Sequence, residues 1–139
     1  MKRRAAILAV GLFTACATMS LDAWKQQLAT ETPERVVEHC AFCVTLNGPG
    51  RDANGFCATA YKDAVQGELV KRKIIRDKYA QGIRGGEVRL GYTPDELRCA
   101  RGTPRDINRS VGRYGVREQW VYRAQNFYFE DGVLSSWQD

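Results

Sequence analysis

The sequence predicts an α+β fold in which N-terminal helices are followed by a short capped helix and a three- to four-stranded antiparallel sheet. Three observations carry that expectation. Residues 20–80 set apolar side chains at one-turn spacing behind helix-capping residues. Glycine and proline then gather at Gly82, Gly85, Gly86, Gly102 and Pro104, where the texture of the chain changes. From Arg105 onward, short β-prone runs are separated by glycine-bearing turns. Helices first and strands afterwards is the order of an α+β domain, and 139 residues suffice for one such domain with appendages.

Each element has its own justification. Ser20 can cap a short helix bearing Leu21, Trp24 and Leu28, and Thr32-Pro33-Glu34 can start a second, with proline where its missing N–H costs nothing. Val36, Val37, Cys40, Ala41 and Val44 form the apolar stripe of that second helix. Leu46 to Gly55, with three glycines and a proline, reads as a loop. Phe56 to about Ala80 has no breaker but Gly67 and spaces Tyr61, Val65, Leu69, Ile75 and Tyr79 on a rough helical period, so one long helix is expected. Thr93-Pro94-Asp95-Glu96 is a capping box, and Arg98, Arg101 and Gly102 mark the end of the helix it starts. Runs 105–111, 117–123, 126–130 and 133–137 are the expected strands, with turns at Gly112–Gly115 and Asp131-Gly132.

Residues 1–20 are an address. Lys2, Arg3 and Arg4 precede an apolar run from Ala5 to Ala15 and then small residues, the layout of a secretory signal peptide. The run is too short to span a bilayer, which takes about 20 residues. Leu12-Phe13-Thr14-Ala15-Cys16 resembles a lipobox, in which cleavage precedes a cysteine that becomes acylated, and Ala17 after it fits outer-membrane sorting. Ala15-Cys16-Ala17 also offers an ordinary cleavage site after Ala17, which would leave a soluble periplasmic protein. The lipid anchor at Cys16 is the expected route, because a cysteine closing the apolar run is otherwise unexplained and several acyl chains hold a membrane firmly. The sequence thus divides into a signal peptide over 1–15, a helical, cysteine-containing region over 16–81 and a third region over 82–139.

The formal charge of +5 is mostly in that leader. Without its three basic residues, 18 basic side chains face 16 acidic ones, too even a balance to imply a polyanionic partner, and nucleic acid is not expected. Residues 62–123 nevertheless hold 15 basic and 8 acidic side chains. Lys71, Arg72, Lys73, Arg76 and Lys78 form the densest part, either a solvated helix face or a surface for anionic lipid or lipopolysaccharide.

The third region resembles a known family. Gly91-Tyr92-Thr93, Gly102-Thr103-Pro104, Glu118-Gln119-Trp120-Val121-Tyr122 and Phe129-Glu130-Asp131-Gly132-Val133-Leu134 are similar to the recurring pattern of SmpA/OmlA (BamE-like) domains. The resemblance covers residues 82–139 and implies helices on one face of a three- or four-stranded antiparallel sheet. It also implies an outer-membrane lipoprotein that binds an envelope protein partner without catalysis. Tyr92 stands where the family usually has methionine, and nothing in residues 20–81 belongs to the pattern.

Other chemistry is sparse. Cys40-Ala41-Phe42-Cys43 lies late in a helix with no strand before it, unlike a thioredoxin motif, and Val44 stands where haem attachment needs histidine. His39, Cys40, Cys43 and Cys57 are residue types that bind zinc, which makes a zinc-binding or thiol-active protein a third alternative. The simpler expectation is two structural disulfides among Cys40, Cys43, Cys57 and Cys99, an even set in an oxidising compartment. Three pairings are possible; the preferred one joins the Cys40/Cys43 helix to Cys57 and the helical region to Cys99. His39 is the sole histidine, no serine sits in a nucleophile elbow, and no catalytic residue, cofactor or metal is expected.

Strict alternation along the expected strands puts Trp120 and Tyr122 on one face, Phe127 and Phe129 opposite Tyr128, and Trp137 opposite Leu134. With large apolar groups on both faces, either the N-terminal helices cover one face and the capped helix the other, or one face stays open as an apolar patch; the resemblance to a one-sided α+β domain implies the open face. Trp120, Tyr122, Phe127, Tyr128, Phe129 and Trp137 are therefore the candidate partner-binding residues, at least two of them solvent-accessible. The expected function is a non-catalytic protein-binding module in cell-envelope or outer-membrane assembly, lipid-anchored on the periplasmic face of the outer membrane. A soluble periplasmic inhibitor-like or structural module is the alternative.

Overall fold

The computed structural model describes residues 19–48 and 57–139. The signal segment, Cys16 and most of the glycine-rich loop lie outside those residues. Among the described residues, five helices precede a four-stranded antiparallel sheet of order β1-β2-β3-β4, the α+β arrangement expected.

Helices α1 (Leu21–Thr30) and α2 (Pro33–Asn47) start at the caps anticipated: Ser20 Oγ accepts from Ala23 N–H at 3.2 Å and Thr32 Oγ1 from Arg35 N–H at 3.4 Å. Trp24 and Leu28 of α1 and Val36, Val37, Ala41 and Cys43 of α2 are buried. His39 ties the two together, with Nε2 2.6 Å from Glu31 Oε2 and its ring edge-on to Trp24 at 4.8 Å. Burial would raise the Glu31 carboxyl, but hydrogen bonds from Gln27 and His39 outweigh it and hold the group below its ordinary value.

The long helix expected over 56–80 is two helices, α3 (Thr59–Lys71) and α4 (Asp77–Arg84). Lys73 adopts φ +60°, Ile74 N–H donates to Leu69 C=O at 3.0 Å, and Lys73 N–H donates to Val70 C=O at 2.9 Å. This is a Schellman cap with lysine in the left-handed position where glycine is usual. The reason is geometric. A continuous helix would set Ile75 about 120° from Leu69 and about 80° from Val65, at the margin of the stripe made by Tyr61, Val65 and Leu69. The break turns Ile75 back into the core, where it is 1% exposed.

Helix α5 (Pro94–Arg101) has the full capping box, with Thr93 Oγ1 accepting from Glu96 N–H and Glu96 Oε2 from Thr93 N–H. Gly102 ends it at φ +84°, and a Cβ there would lie 3.0 Å from the Thr45 backbone nitrogen, so α5 approaches α2 too closely for any side chain. The strands are β1 (Asp106–Gly112), β2 (Gly115–Val121), β3 (Asn126–Glu130) and β4 (Val133–Gln138). One core joins both halves of the chain: Trp24, Leu28, Val36, Leu69 and Ile83 pack in the same cluster as Leu97, Trp120, Phe127, Phe129 and Leu134.

Glu96 is fully buried and ion-paired. Its Oε1 accepts from Arg76 N–H at 3.0 Å and Arg76 Nε at 2.9 Å, and its Oε2 from Arg76 Nη2 at 2.5 Å as well as from Thr93 N–H. Burial would raise this carboxyl, but the hydrogen bonds from the Arg76 side chain and the two backbone N–H groups outweigh it and hold it below its ordinary value. A depressed folded-state value contributes stability at neutral pH that is lost as the pH falls through it. Glu96→Ala is expected to cost about 3 kcal/mol in urea unfolding at pH 7, since it leaves Arg76 partly buried without its partner. The same variant should lose less stability than the wild type when the pH is lowered below the ordinary carboxylate value, which denaturant titrations at pH 7 and pH 3 would measure.

Candidate functional site

Both disulfides are formed, Cys40–Cys99 and Cys43–Cys57, in the preferred pairing. They leave the same turn of α2 in two directions, one to α5 and one to the chain just before α3. All four sulfurs are thereby committed to S–S bonds, so the thiolate set His39, Cys40, Cys43 and Cys57 is not assembled. The described residues contain no group of three or more histidine, cysteine and acidic side chains placed to hold a metal. A cavity of about 40 Å³ beside the disulfides, lined by His39, Cys40, Val65, Gln66, Arg84 and Cys99, is far below the size of a substrate pocket.

The sheet departs from the expected distribution of aromatics. Trp120, Phe127 and Phe129 are 2%, 1% and 1% exposed, so these three are core residues and not partner anchors. The Arg98 guanidinium lies over the Trp120 ring at 5.1 Å, and the Trp120 and Phe129 centroids are 4.9 Å apart. Tyr122 is half-buried, edge-on to Phe127 at 5.4 Å, with its hydroxyl donating to Gly102 C=O at 2.9 Å. Burial pushes its phenol pKa well up. Tyr128 is half-buried on the opposite face and Trp137 is 39% exposed.

A β-bulge explains the misplacement of Trp137. Tyr128 pairs with Ser136 but Phe129 with Leu134, so Ser135 is the extra residue, and its Oγ donates to Tyr128 C=O at 3.1 Å. Leu134 and Trp137 consequently share the helix-side face, opposite Phe129 and Phe127, where simple alternation separates them. The outer face is polar instead of apolar. Asn108 Nδ2 donates to Gln119 Oε1 at 3.2 Å, Gln119 Nε2 to the Tyr128 hydroxyl at 3.3 Å, and that hydroxyl to Gln138 Oε1 at 2.8 Å. Arg117 and Glu130 extend this face as an ion pair at 3.6 Å. A shallow trough of about 410 Å³ runs across the sheet past Asn108, Ser110, Gln119, Tyr128 and Ser136.

The basic cluster is partly structural. Arg72 Nη1 and Nη2 donate to Glu31 C=O and Leu28 C=O at 2.7 and 2.6 Å, capping the end of α1, while its Nε donates to Glu68. Arg76 belongs to the Glu96 pair. Lys71, Lys73 and Lys78 are exposed, Lys71 3.9 Å from Glu68 and Lys78 over the Tyr79 ring. Of the five basic residues, three lysines remain for an anionic surface. Arg72 and Arg76 were legible as basic, but nothing local marks an arginine that caps a distant helix.

The class defined by fold and geometry is an α+β domain whose helical core packs against one sheet face, with two disulfides on the helical side and a polar outer face. Comparison with family models, curated proteins and solved structures finds no match to this chain.

Alkylation of the processed protein under denaturing, non-reducing conditions should add nothing to Cys40, Cys43, Cys57 or Cys99, read by mass spectrometry. Removing the Cys40–Cys99 pair by double alanine replacement should cost about 4 kcal/mol, and removing Cys43–Cys57 about 3 kcal/mol, because the first closes the longer loop in the unfolded chain. Separately, Trp120→Ala or Phe127→Ala should destabilise by about 3–5 kcal/mol, whereas Trp137→Ala should stay within about 1 kcal/mol by the same urea titrations.

Proposed function

We propose that this chain is an exported, lipid-anchored, non-catalytic binding module of the bacterial envelope, held at the periplasmic face of the outer membrane through Cys16. The observation that carries it is the pair of disulfides, one of them joining α2 to α5 across the core. Bonds of this kind persist in oxidising compartments such as the periplasm, which is where the signal segment directs the chain. Met19 is the first described residue, and its C=O accepts from the Tyr61 hydroxyl at 2.6 Å. Two residues, Ala17 and Thr18, separate Cys16 from that tie, so an acyl anchor would hold the domain within about 10 Å of the bilayer surface. Lys71, Lys73 and Lys78 then supply charge for anionic headgroups. The SmpA/OmlA resemblance over 82–139 supports a role in assembling envelope or outer-membrane complexes by binding another envelope protein.

Clickable palmitate fed to cells should label the wild type and leave Cys16→Ser unlabelled. Unlabelled wild type whose mature N-terminus is Thr18 would replace this reading by a soluble periplasmic module.

A further inference from the structure

β1 is unlike the other strands, because all seven of its residues are exposed. The bonding phase of the sheet fixes which way its backbone points. Tyr122 N–H donates to Gln125 C=O and Asp131 N–H to Val116 C=O, so residues 116, 118, 120 and 122 bond towards β3. Antiparallel pairing alternates, so Gly115, Arg117, Gln119 and Val121 bond towards Gly112, Ser110, Asn108 and Asp106 of β1. Ile107, Arg109 and Val111 therefore aim their N–H and C=O groups out of the sheet. The Ile107 N–H shows the direction, for it donates to the Asp106 carboxylate at 2.9 Å instead of to a strand.

The other edge of the sheet is closed at the equivalent place. Leu134 of β4 accepts from Gly91 N–H at 2.8 Å and donates to Tyr92 C=O at 2.9 Å, and the bulge at Ser135 follows directly. Native sheets blunt their edges by such devices. Among the described residues, the β1 edge carries only the Asp106 side chain and the charge of Arg109.

Its side chains select what could pair with it. On the helix-side face, Ile107 and Val111 are 39% and 69% exposed, because the helices do not reach that far across the sheet. β2 meets this row with Trp120 opposite Ile107, Glu118 opposite Arg109 and Val116 opposite Val111. Arg109 Nε lies 3.4 Å from Glu118 Oε1. Residues 105–123 hold five arginines against Asp106 and Glu118, so the hairpin retains excess positive charge.

We infer that the free edge of β1 accepts an extended segment of another protein, with an apolar–x–acidic–x–apolar pattern, as a fifth strand. The inference rests on the reading of this chain as a binding module and names its surface and the chemistry of its partner. The pattern is that of the strand already paired with β1. A central carboxylate answers Arg109, and the flanking apolar residues extend the cover over Ile107 and Val111. The pattern is the same in either direction, so the added strand can run parallel or antiparallel. The exposed Asp106 side chain must release the Ile107 N–H as the segment docks.

The probe is a blocked peptide with the sequence of residues 114–122, titrated into the isotope-labelled full-length gene product as cells process it. Saturable amide shifts should appear at Ile107, Arg109 and Val111. A Glu118→Lys version of the peptide should bind about tenfold more weakly, and Arg109→Glu in the protein should reverse that preference. Arg109→Pro removes an outward N–H while keeping the inward bonds of Asn108 and Ser110, and should abolish the shifts with the rest of the spectrum retained. Absent or scattered shifts, or a preference that Arg109→Glu leaves unchanged, would overturn the proposal. Concentration-dependent broadening at β1 without peptide would overturn it too, naming a second copy of this chain as the occupant. None of these results alters palmitate labelling at Cys16, so the edge and the anchor fail separately.

Discussion

The carboxylate of Glu96, buried with no solvent exposure, is the junction at which the helical layer and the sheet are fixed to each other. It takes both a backbone and a side-chain bond from Arg76, the residue that ends the break between α3 and α4, and closes the capping box of α5 through Thr93 N–H. Arg76 Nη2 continues to Gly91 C=O, and Gly91 N–H bonds to Leu134 on β4. A single charged pair thus sets the position of α4, the start of α5 and the approach to the sheet edge. Such a pair is costly to desolvate, and its worth lies in having nearly every lone pair answered. In a continuous helix the Arg76 N–H would bond to the carbonyl four residues back and not to Glu96, so the Schellman cap at Lys73 and the buried carboxylate belong to one arrangement.

What the sequence made legible was whatever is decided locally. The caps at Ser20, Thr32 and Thr93, the four strands and both turns follow from neighbours within four residues, and all were in place. The helix break was hidden because its punctuation is a lysine in the left-handed region, a position where glycine is the usual mark. The phase gave only a weak signal: in a continuous helix Ile75 falls at the margin of the stripe of Tyr61, Val65 and Leu69. The aromatic faces failed for a different reason. Trp120, Phe127 and Phe129 obey alternation, but one inserted residue at Ser135 moves Trp137 to their side, and no turn residue announces a bulge in Leu134-Ser135-Ser136-Trp137. The structural roles of Arg72 and Arg76 are invisible in the sequence because Arg72 caps a helix 41 residues away and Arg76 pairs with a carboxylate 20 residues away.

Covalent and noncovalent stabilisation are unevenly spread through this fold. Both disulfides, the Arg72 cap of α1 and the Gln66–Arg84 bonds lie on the helical side. α2 is the hub of the disulfides: Cys40 reaches α5, Cys43 reaches the start of α3, and Thr45 Oγ1 also accepts from Thr103 N–H beyond Gly102. A small core of this size gains most from constraints on its longest loops, and the Cys40–Cys99 bond spans 59 residues. These ties stop at Pro104.

Beyond that point β1 buries none of its residues and is held by its ladder to β2, the Asn108–Gln119 bond and the Arg109–Glu118 pair. Elements with few buried contacts lie at the low end of a protein's range of local stability. An added strand changes that balance in two ways: it satisfies the outward groups of Ile107, Arg109 and Val111, and it covers apolar surface that the helices leave open. The stapled helical layer keeps the inner row of Trp120, Phe127 and Phe129 in place whether or not β1 is paired on its far side. Docking at the edge therefore adds to the hairpin without reorganising the core, and the cost of association falls on a strand whose residues are all exposed.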